Sequence, residues 1–262
     1  MRMIMQTVSL CDDITVTLRD DNIITVSTNL HYLPCDDRNI AAKAAKAFFA
    51  QLGKADIGAD INITKRIPVC AGMGGGSSDG AAVLRALNTL MGKPFSRFAL
   101  EEMGANLGSD IPFCVAGGTS LAEGKGEILS DLPPFPHCRF VIVKPKYSVS
   151  TPELFTKLDL ISVKFHPDTL GIIYAIKRGS LKSVCQRMYN VFEDVLPPKP
   201  NDIQTIKSTL LDCGALGALM TGTGSAVFGI FSDKDQAKRA QELLAQRYSE
   251  VFLAEPQESL DI

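Results

Sequence analysis

The sequence predicts an α+β protein of two domains, residues 1–145 and 146–262, on three observations. Strand-like alternation dominates residues 8 to 28. A glycine-rich loop then joins a strand pattern to a helix pattern at residues 68 to 80, and a new run of strands and helices starts after about residue 145. With 262 residues and 45% hydrophobic content, the chain can bury a substantial core and by size suits one large domain or two smaller ones.

In chain order, Ile14, Val16 and Leu18 alternate, as do Ile24 and Val26. The polar turn Arg19-Asp20-Asp21-Asn22 between them is a hairpin signal. Residues 39–53, NIAAKAAKAFFAQLG, are rich in helix formers and stop at Gly53, so a helix is expected. Ala59, Ile61 and Ile63 alternate along a strand that stops at Pro68 and leads into PVCAGMGGGSSDG. Past this loop, Val83, Leu84, Leu87 and Met91 recur at helical spacing, with Ser77 or Ser78 available as the cap and Gly92 and Pro94 marking the end. A further helix is expected from Ser96 to about Leu107, giving way to GSDIPF.

The second part opens with the apolar strand CRFVIVKP, followed by the loop PKYSVSTPELF, helical stretches and the proline-rich connection LPPKPND. Its last third reads as strand GALM, glycine loop TGTGS, strand AVFGIF, a helix from Asp233 to about Tyr248 capped by Ser232, and strand VFLAE. That succession suits an antiparallel sheet.

Composition narrows the function. The 27 Lys+Arg and 29 Asp+Glu residues form no run of like charge, so neither nucleic acid nor a membrane surface is an expected partner, and a small molecule is. Seven scattered cysteines without a C-x-x-C pair argue for reduced thiols rather than a disulfide framework or a zinc site. The N-terminal MRMIMQTVSLCDD lacks the unbroken apolar core of a secretion signal, and a cytoplasmic location is expected. His31, His137 and His166 are isolated.

Five glycines and two serines within residues 68–80 point to an anion. Such a loop lets backbone N–H groups converge without Cβ atoms in the way, and a helix start adds unpaired donors and the positive end of its dipole. No Lys follows the glycines as in a Walker loop, and Ser77 stands where a dinucleotide fingerprint needs its last Gly, so this is a phosphate loop of another kind. A β-branched residue at Gly75 or Gly76 is expected to disfavour positive φ there and to abolish nucleotide binding. The alternative is a flexible connection, with the serines serving only as caps. Asp110 in GSDIPF is, on its own, ordinary turn chemistry, and TGTGS alone is a hairpin turn.

Pro68 to Asn88 resembles the central motif of the GHMP kinases, the superfamily of galactokinase, homoserine kinase, mevalonate kinase and phosphomevalonate kinase. The triple glycine followed by Ser-Ser-Asp resembles the branch acting on 4-diphosphocytidyl-2-C-methyl-D-erythritol. The resemblance continues in order through DDRNIAAKAA, LGSDIPFCVAGGTSLAEGKGE, PKYSVST, YNVFE and MTGTGSAVFGIF.

It implies a GHMP fold with an N-terminal ATP-binding domain and a C-terminal ferredoxin-like α/β sandwich. ATP would be wrapped by Pro68, Val69, Cys70, Ala71, Gly72, Met73, Gly74, Gly75, Gly76, Ser77 and Ser78, with Asn39 and Lys65 near the adenine. Asp110 would be the catalytic carboxylate, and Mg2+ would accompany ATP. The loop Thr221, Gly222, Thr223 and Gly224 would close over the phosphates and substrate, and Tyr147 and Tyr189 are candidates to stack on a cytosine, with Met188 also open. The implied acceptor is a cytidine diphosphate-linked sugar alcohol on the non-mevalonate route to isoprenoid precursors. The alternatives are a homoserine- or mevalonate-type kinase, or a nucleotide-binding protein with little catalysis. The last arises because relatives carry P-A-K-[IL]-N-L ahead of the stretch resembling MRMIMQTVSLCDDITV, and its lysine, which pairs with the catalytic aspartate, has no counterpart here.

Overall fold

The computed structural model describes residues 1–54, 56–160, 165–196 and 202–260. The first part holds β1 (Arg2–Gln6), β2 (Asp13–Arg19), β3 (Ile24–Thr28), α1 (Ile40–Leu52), β4 (Gly58–Thr64), α2 (Gly75–Leu90), α3 (Arg97–Ala105), α4 (Ile111–Ala116), β5 (Thr119–Glu123) and β6 (Ile128–Asp131). There follow β7 (Arg139–Lys144), α5 (Thr151–Asp159), α6 (Thr169–Lys177), α7 (Leu181–Cys185), a 3-10 turn over Val191–Val195, α8 (Asp202–Asp212), β8 (Gly217–Met220), β9 (Val227–Phe231), α9 (Lys234–Ala245) and β10 (Glu250–Ala254).

The two alternating stretches at the start are strands, but they do not pair with each other. β4 lies between them, antiparallel to β2 and parallel to β3, with Ile61 opposite both Val16 and Val26. Burial is the reason: Ala59, Ile61 and Ile63 are at most 1% exposed, so β4 takes the centre and the wetter β2 and β3 the edges. The turn after β2 crosses the start of β4 instead of folding back. Ala59 N–H donates to Ile23 O at 3.0 Å, and a Cβ on Gly58 would lie 2.0 Å from that oxygen.

α1 forms as its composition requires. Asn39 caps it by accepting from Ala41 N–H, and Gly53 ends it at φ 69°, a left-handed conformation glycine adopts without strain. Its alanines and Phe48 pack with Leu84 and Leu87 of α2 over the β2–β4–β3 sheet. Leu87, fully buried here, is expected to cost about 2–5 kcal/mol when truncated to Ala. Denaturant unfolding measures this, and a loss under about 1 kcal/mol would mean the site collapses around the gap.

β1, β5 and β6 form a separate antiparallel sheet. The boundary expected at residue 145 needs correction, because β7 pairs with β9 and β10 and so belongs to the C-terminal sheet. That sheet is antiparallel throughout, ordered β10-β7-β9-β8, and with α8 and α9 it is the ferredoxin-like arrangement. Period-two alternation along β7 serves both faces: Val141 and Val143 meet α8 and α9, while Phe140 and Ile142 meet Ala71 and Met73 of the glycine loop. The cap of α9 is Asp233 rather than Ser232, accepting from Gln236 N–H at 2.7 Å. Most of LPPKPND, residues 197–201, lies outside the described residues. Beyond β10 the chain returns to the first part, where Gln257 N–H donates to Thr7 O and Leu260 N–H to Ala116 O. No described helix is long and apolar enough to cross a membrane.

Candidate active site

α2 begins at Gly75, earlier than a serine cap requires. Gly74 is the cap, at φ 64°, so Ser77 and Ser78 lie inside the first turn. Ser78 N–H closes that turn onto Gly74 O at 2.8 Å, and the N–H groups before it have no intrahelical acceptor. Gly75 and Gly76 are helical, and the left-handed glycines of the loop are Gly72 and Gly74. The backbone conformation that favours glycine therefore lies at Gly72 and Gly74, not at Gly75 or Gly76. A side chain at Gly76 would meet nothing within 4 Å.

The loop and the start of α1 enclose a cleft of about 350 Å³. Pro68 to Ser77 line it on one side and Leu33, Pro34, Arg38, Asn39 and Ile40 on the other, with Lys65 and Asp79 contributing as well. Of the expected nucleotide residues, only Ser78 stays out of the lining. The Asn39 amide is already engaged, donating to Pro34 O at 2.8 Å while capping α1.

Lys65 is engaged too. Its ammonium lies 2.5 Å from Asp12 Oδ2 and 2.7 Å from Asp79 Oδ2, with all three side chains at most 8% exposed. Asp12 also accepts from the Arg66 and Ile67 amides, which fixes the strand exit that feeds the loop. Burial, opposed by Lys65 and reinforced by the Asp12 charge, pushes the Asp79 carboxyl up to about 7. The sequence marks neither carboxylate as a partner of Lys65: Asp79 lies inside the SSD motif, and Asp12 reaches Lys65 across 53 positions.

Asp110 stands at the cap of α4 without capping it. Its one side-chain partner is Ser109, whose hydroxyl donates to Oδ1 at 3.5 Å, and it forms no ion pair among the described residues. Burial raises its carboxyl above the usual carboxylate range. α4 packs on α2, bringing Cys114 Sγ to 4.0 Å from a Cβ position at Gly74.

The loop Thr221–Gly224 is a hairpin turn between β8 and β9 that also docks on the glycine loop ahead of α2. Thr221 Oγ1 donates to Gly72 O at 3.1 Å, and Ala226 N–H to Ala71 O at 3.1 Å. YNVFE supports it from behind: Asn190 Nδ2 donates to Met220 O and Gly222 O, both at 2.8 Å, and Glu193 accepts from Met220 N–H. Thr223 bonds Thr151, and Gly224 N–H closes the turn onto Thr221 O. Tyr147 is half-buried, its carbonyl accepting from Ser225 Oγ at 2.6 Å, and Tyr189 donates its hydroxyl to Asp194. Neither tyrosine lines the cleft.

The description "GHMP kinases N terminal domain" matches residues 39–118, and "GHMP kinases C terminal" matches residues 172–250. The chain belongs to the GHMP kinases. As a GHMP kinase it is an ATP-dependent phosphotransferase acting on a small molecule. It is 43% identical to the 4-diphosphocytidyl-2-C-methyl-D-erythritol kinase of Clostridium perfringens over 255 residues, covering 97% of this chain and 88% of the relative. Identity to the enzyme of the same name from Clostridium novyi is 40%, covering 97% and 90%. Among solved structures, a 4-(cytidine 5'-diphospho)-2C-methyl-D-erythritol kinase superposes with a TM-score of 0.82 at 28% identity, covering 97% of this chain and 89% of that one. Homoserine kinase from Cytophaga hutchinsonii, at 18% identity and a TM-score of 0.80 over 98% and 89% of the two chains, shares the fold.

Proposed function

We propose that this GHMP kinase transfers the γ-phosphoryl of ATP to the 2-hydroxyl of 4-diphosphocytidyl-2-C-methyl-D-erythritol, a step of the non-mevalonate route to isoprenoid precursors. The observation that carries the substrate is the 43% identity to a kinase of that name, sustained over 97% of the chain and therefore through both domains. In the reaction the acceptor oxygen bonds to the γ-phosphorus while the bond to the β–γ bridging oxygen breaks. The triphosphate lies in the cleft, where the first N–H groups of α2 and the positive end of that helix offset its charge.

Asp110 takes the hydroxyl proton. Burial makes its carboxylate a better base than an exposed one, and it has no cation to lower its basicity among the described residues. Mg2+ would accompany the triphosphate and offset its charge; among the described residues no group of three His, Cys, Asp or Glu side chains stands ready to hold the ion. The docked loop Thr221–Gly224 shields the transferring group, and Tyr147 and Tyr189 supply aromatic faces for the cytosine.

The test is phosphoryl transfer from ATP to the cytidyl substrate, homoserine and mevalonate, with the product's phosphate position read by phosphorus NMR. A kcat/KM at least about 10³-fold higher for the cytidyl substrate is expected, since a site built to pair a base leaves buried polar groups unmet by the others. Comparable use of homoserine or mevalonate removes the substrate assignment. Nucleotide binding without transfer to any of the three removes the enzyme reading.

A further inference from the structure

The Asp12–Lys65–Asp79 group has the wrong sign for its position. Two carboxylates and one ammonium, none more than 8% exposed, leave one net negative charge if all are ionised. That charge lies against the first turn of α2, where a triphosphate would find its donors, and a dry surrounding strengthens the repulsion.

One of the carboxyls is suited to give way. Asp12 uses both oxygens: Oδ1 accepts from the amides of Arg66 at 2.5 Å and Ile67 at 2.8 Å, and Oδ2 accepts from Lys65. Asp79 accepts from Lys65 at Oδ2, but its Oδ1 is buried and accepts from nothing among the described residues. A buried carboxylate oxygen without a donor is costly, and a proton on it removes the charge.

The surroundings offer no other remedy. The groups facing Asp79 are Lys65 after β4, Asp12 ahead of β2, and the Cys114 thiol of α4, whose other charged neighbours are Asp110 and Arg85. The charged side chains of α1 and α3 are exposed or paired elsewhere, Lys46 with Asp37 and Arg97 with Glu101 and Asp131.

We propose that Asp79 is a positioning residue of the nucleotide site that works as an acid: arrival of a nucleoside triphosphate drives uptake of one proton at Asp79, so that the Asp12–Lys65–Asp79 group behind the anion becomes neutral. The proton comes from the buffer acid, and an O–H bond forms at Asp79 Oδ1. The carboxyl already stands at about 7 in the free protein, because burial and Asp12 outweigh Lys65, and a bound polyanion raises it further. This inference rests on reading the cleft as a nucleotide site.

The sign follows from linkage. A ligand that takes up one proton loses affinity as pH rises, by up to about tenfold per unit above pH 7. Asp79→Asn is neutral at every pH and should bind ATP with little pH dependence of its own. Asp12→Asn reaches the same end differently: Lys65 and Asp79 then form a balanced pair, and Asp79 stays ionised with or without the nucleotide.

The experiment is calorimetric titration of the full chain with ATP at about pH 8.5, where the triphosphate is itself fully ionised, in two buffers of different ionisation enthalpy. Wild type is expected to take up close to one proton and both variants almost none. Wild-type affinity should also fall about tenfold between about pH 7.5 and 8.5, against less than about twofold for Asp79→Asn. Wild type binding ATP with no proton uptake overturns the inference and leaves the nucleotide reading standing, as does equal uptake by wild type and the variants. Where one of the two variants fails to fold, the other carries the comparison with wild type. Failure of wild type to bind ATP overturns both.

Discussion

Asp110→Asn is expected to lower phosphoryl transfer by roughly 10²–10⁴-fold, the range a positioned general base contributes. ATP affinity should stay within about twofold, since a substitution away from the ligand's contacts shifts free energy by about 0.5 kcal/mol at most. The two effects separate because the structure separates the groups. The cleft lining runs from Pro68 to Ser77 and does not include Asp110, which sits at the cap of α4 with only the Ser109 hydroxyl beside it. Asparagine preserves the shape but cannot accept the proton. The pH profile carries the same signature: the base must be ionised, so wild-type turnover rises through a carboxyl titration that burial has moved above the usual range, and this limb disappears in the variant. Loss of ATP affinity along with turnover would take Asp110 out of its assigned role.

Gly72→Ala is the second large effect. At φ 72° an L side chain costs about 1–2 kcal/mol, and the added Cβ would lie 2.4 Å from Thr221 O and 2.8 Å from Gly224 N. Both obstacles are backbone, so no rotamer change relieves them and the two glycine loops must part. A combined loss of about 2–4 kcal/mol in unfolding free energy is expected, with lower turnover because the loop Thr221–Gly224 no longer rests on the glycine loop ahead of α2. Gly76→Ala is the control: it is helical with open space around it, so stability should hold or rise by up to about 1 kcal/mol. Equal losses in the two variants would show that loop docking is not what Gly72 provides.

Legibility in the sequence followed the range of the interactions. α1, β4, α2 and α3 could be read because their signals are local: Asn39 and Gly53 bracket one helix, Ser96 caps another, and a strict alternation leads into the glycines. The hairpin expected between β2 and β3 failed because the turn residues are compatible with either a fold-back or a crossing. The choice lies with β4, some 40 residues later, which is apolar enough to claim the middle. The β1–β5 pair joins Arg2 to Glu123 with nothing in either short strand to announce the other. In the site, the glycine loop was legible as a strand-to-helix junction, because its signal is a run of neighbouring residues. The Asp12–Lys65–Asp79 group was not, because a buried charge cluster has no period and shows itself only when distant segments meet.

The return of residues 256–260 to the first part bears on how the protein is made. Thr7 and Ala116 receive hydrogen bonds from Gln257 and Leu260, so the N-terminal half is completed by segments synthesised more than 140 residues later. At a ribosomal rate of roughly 5–20 residues per second, that half waits for many seconds before its last backbone partners emerge. The N-terminal half therefore gains these partners only after the C-terminal sheet has been synthesised, through the kind of long-range closure that slows folding.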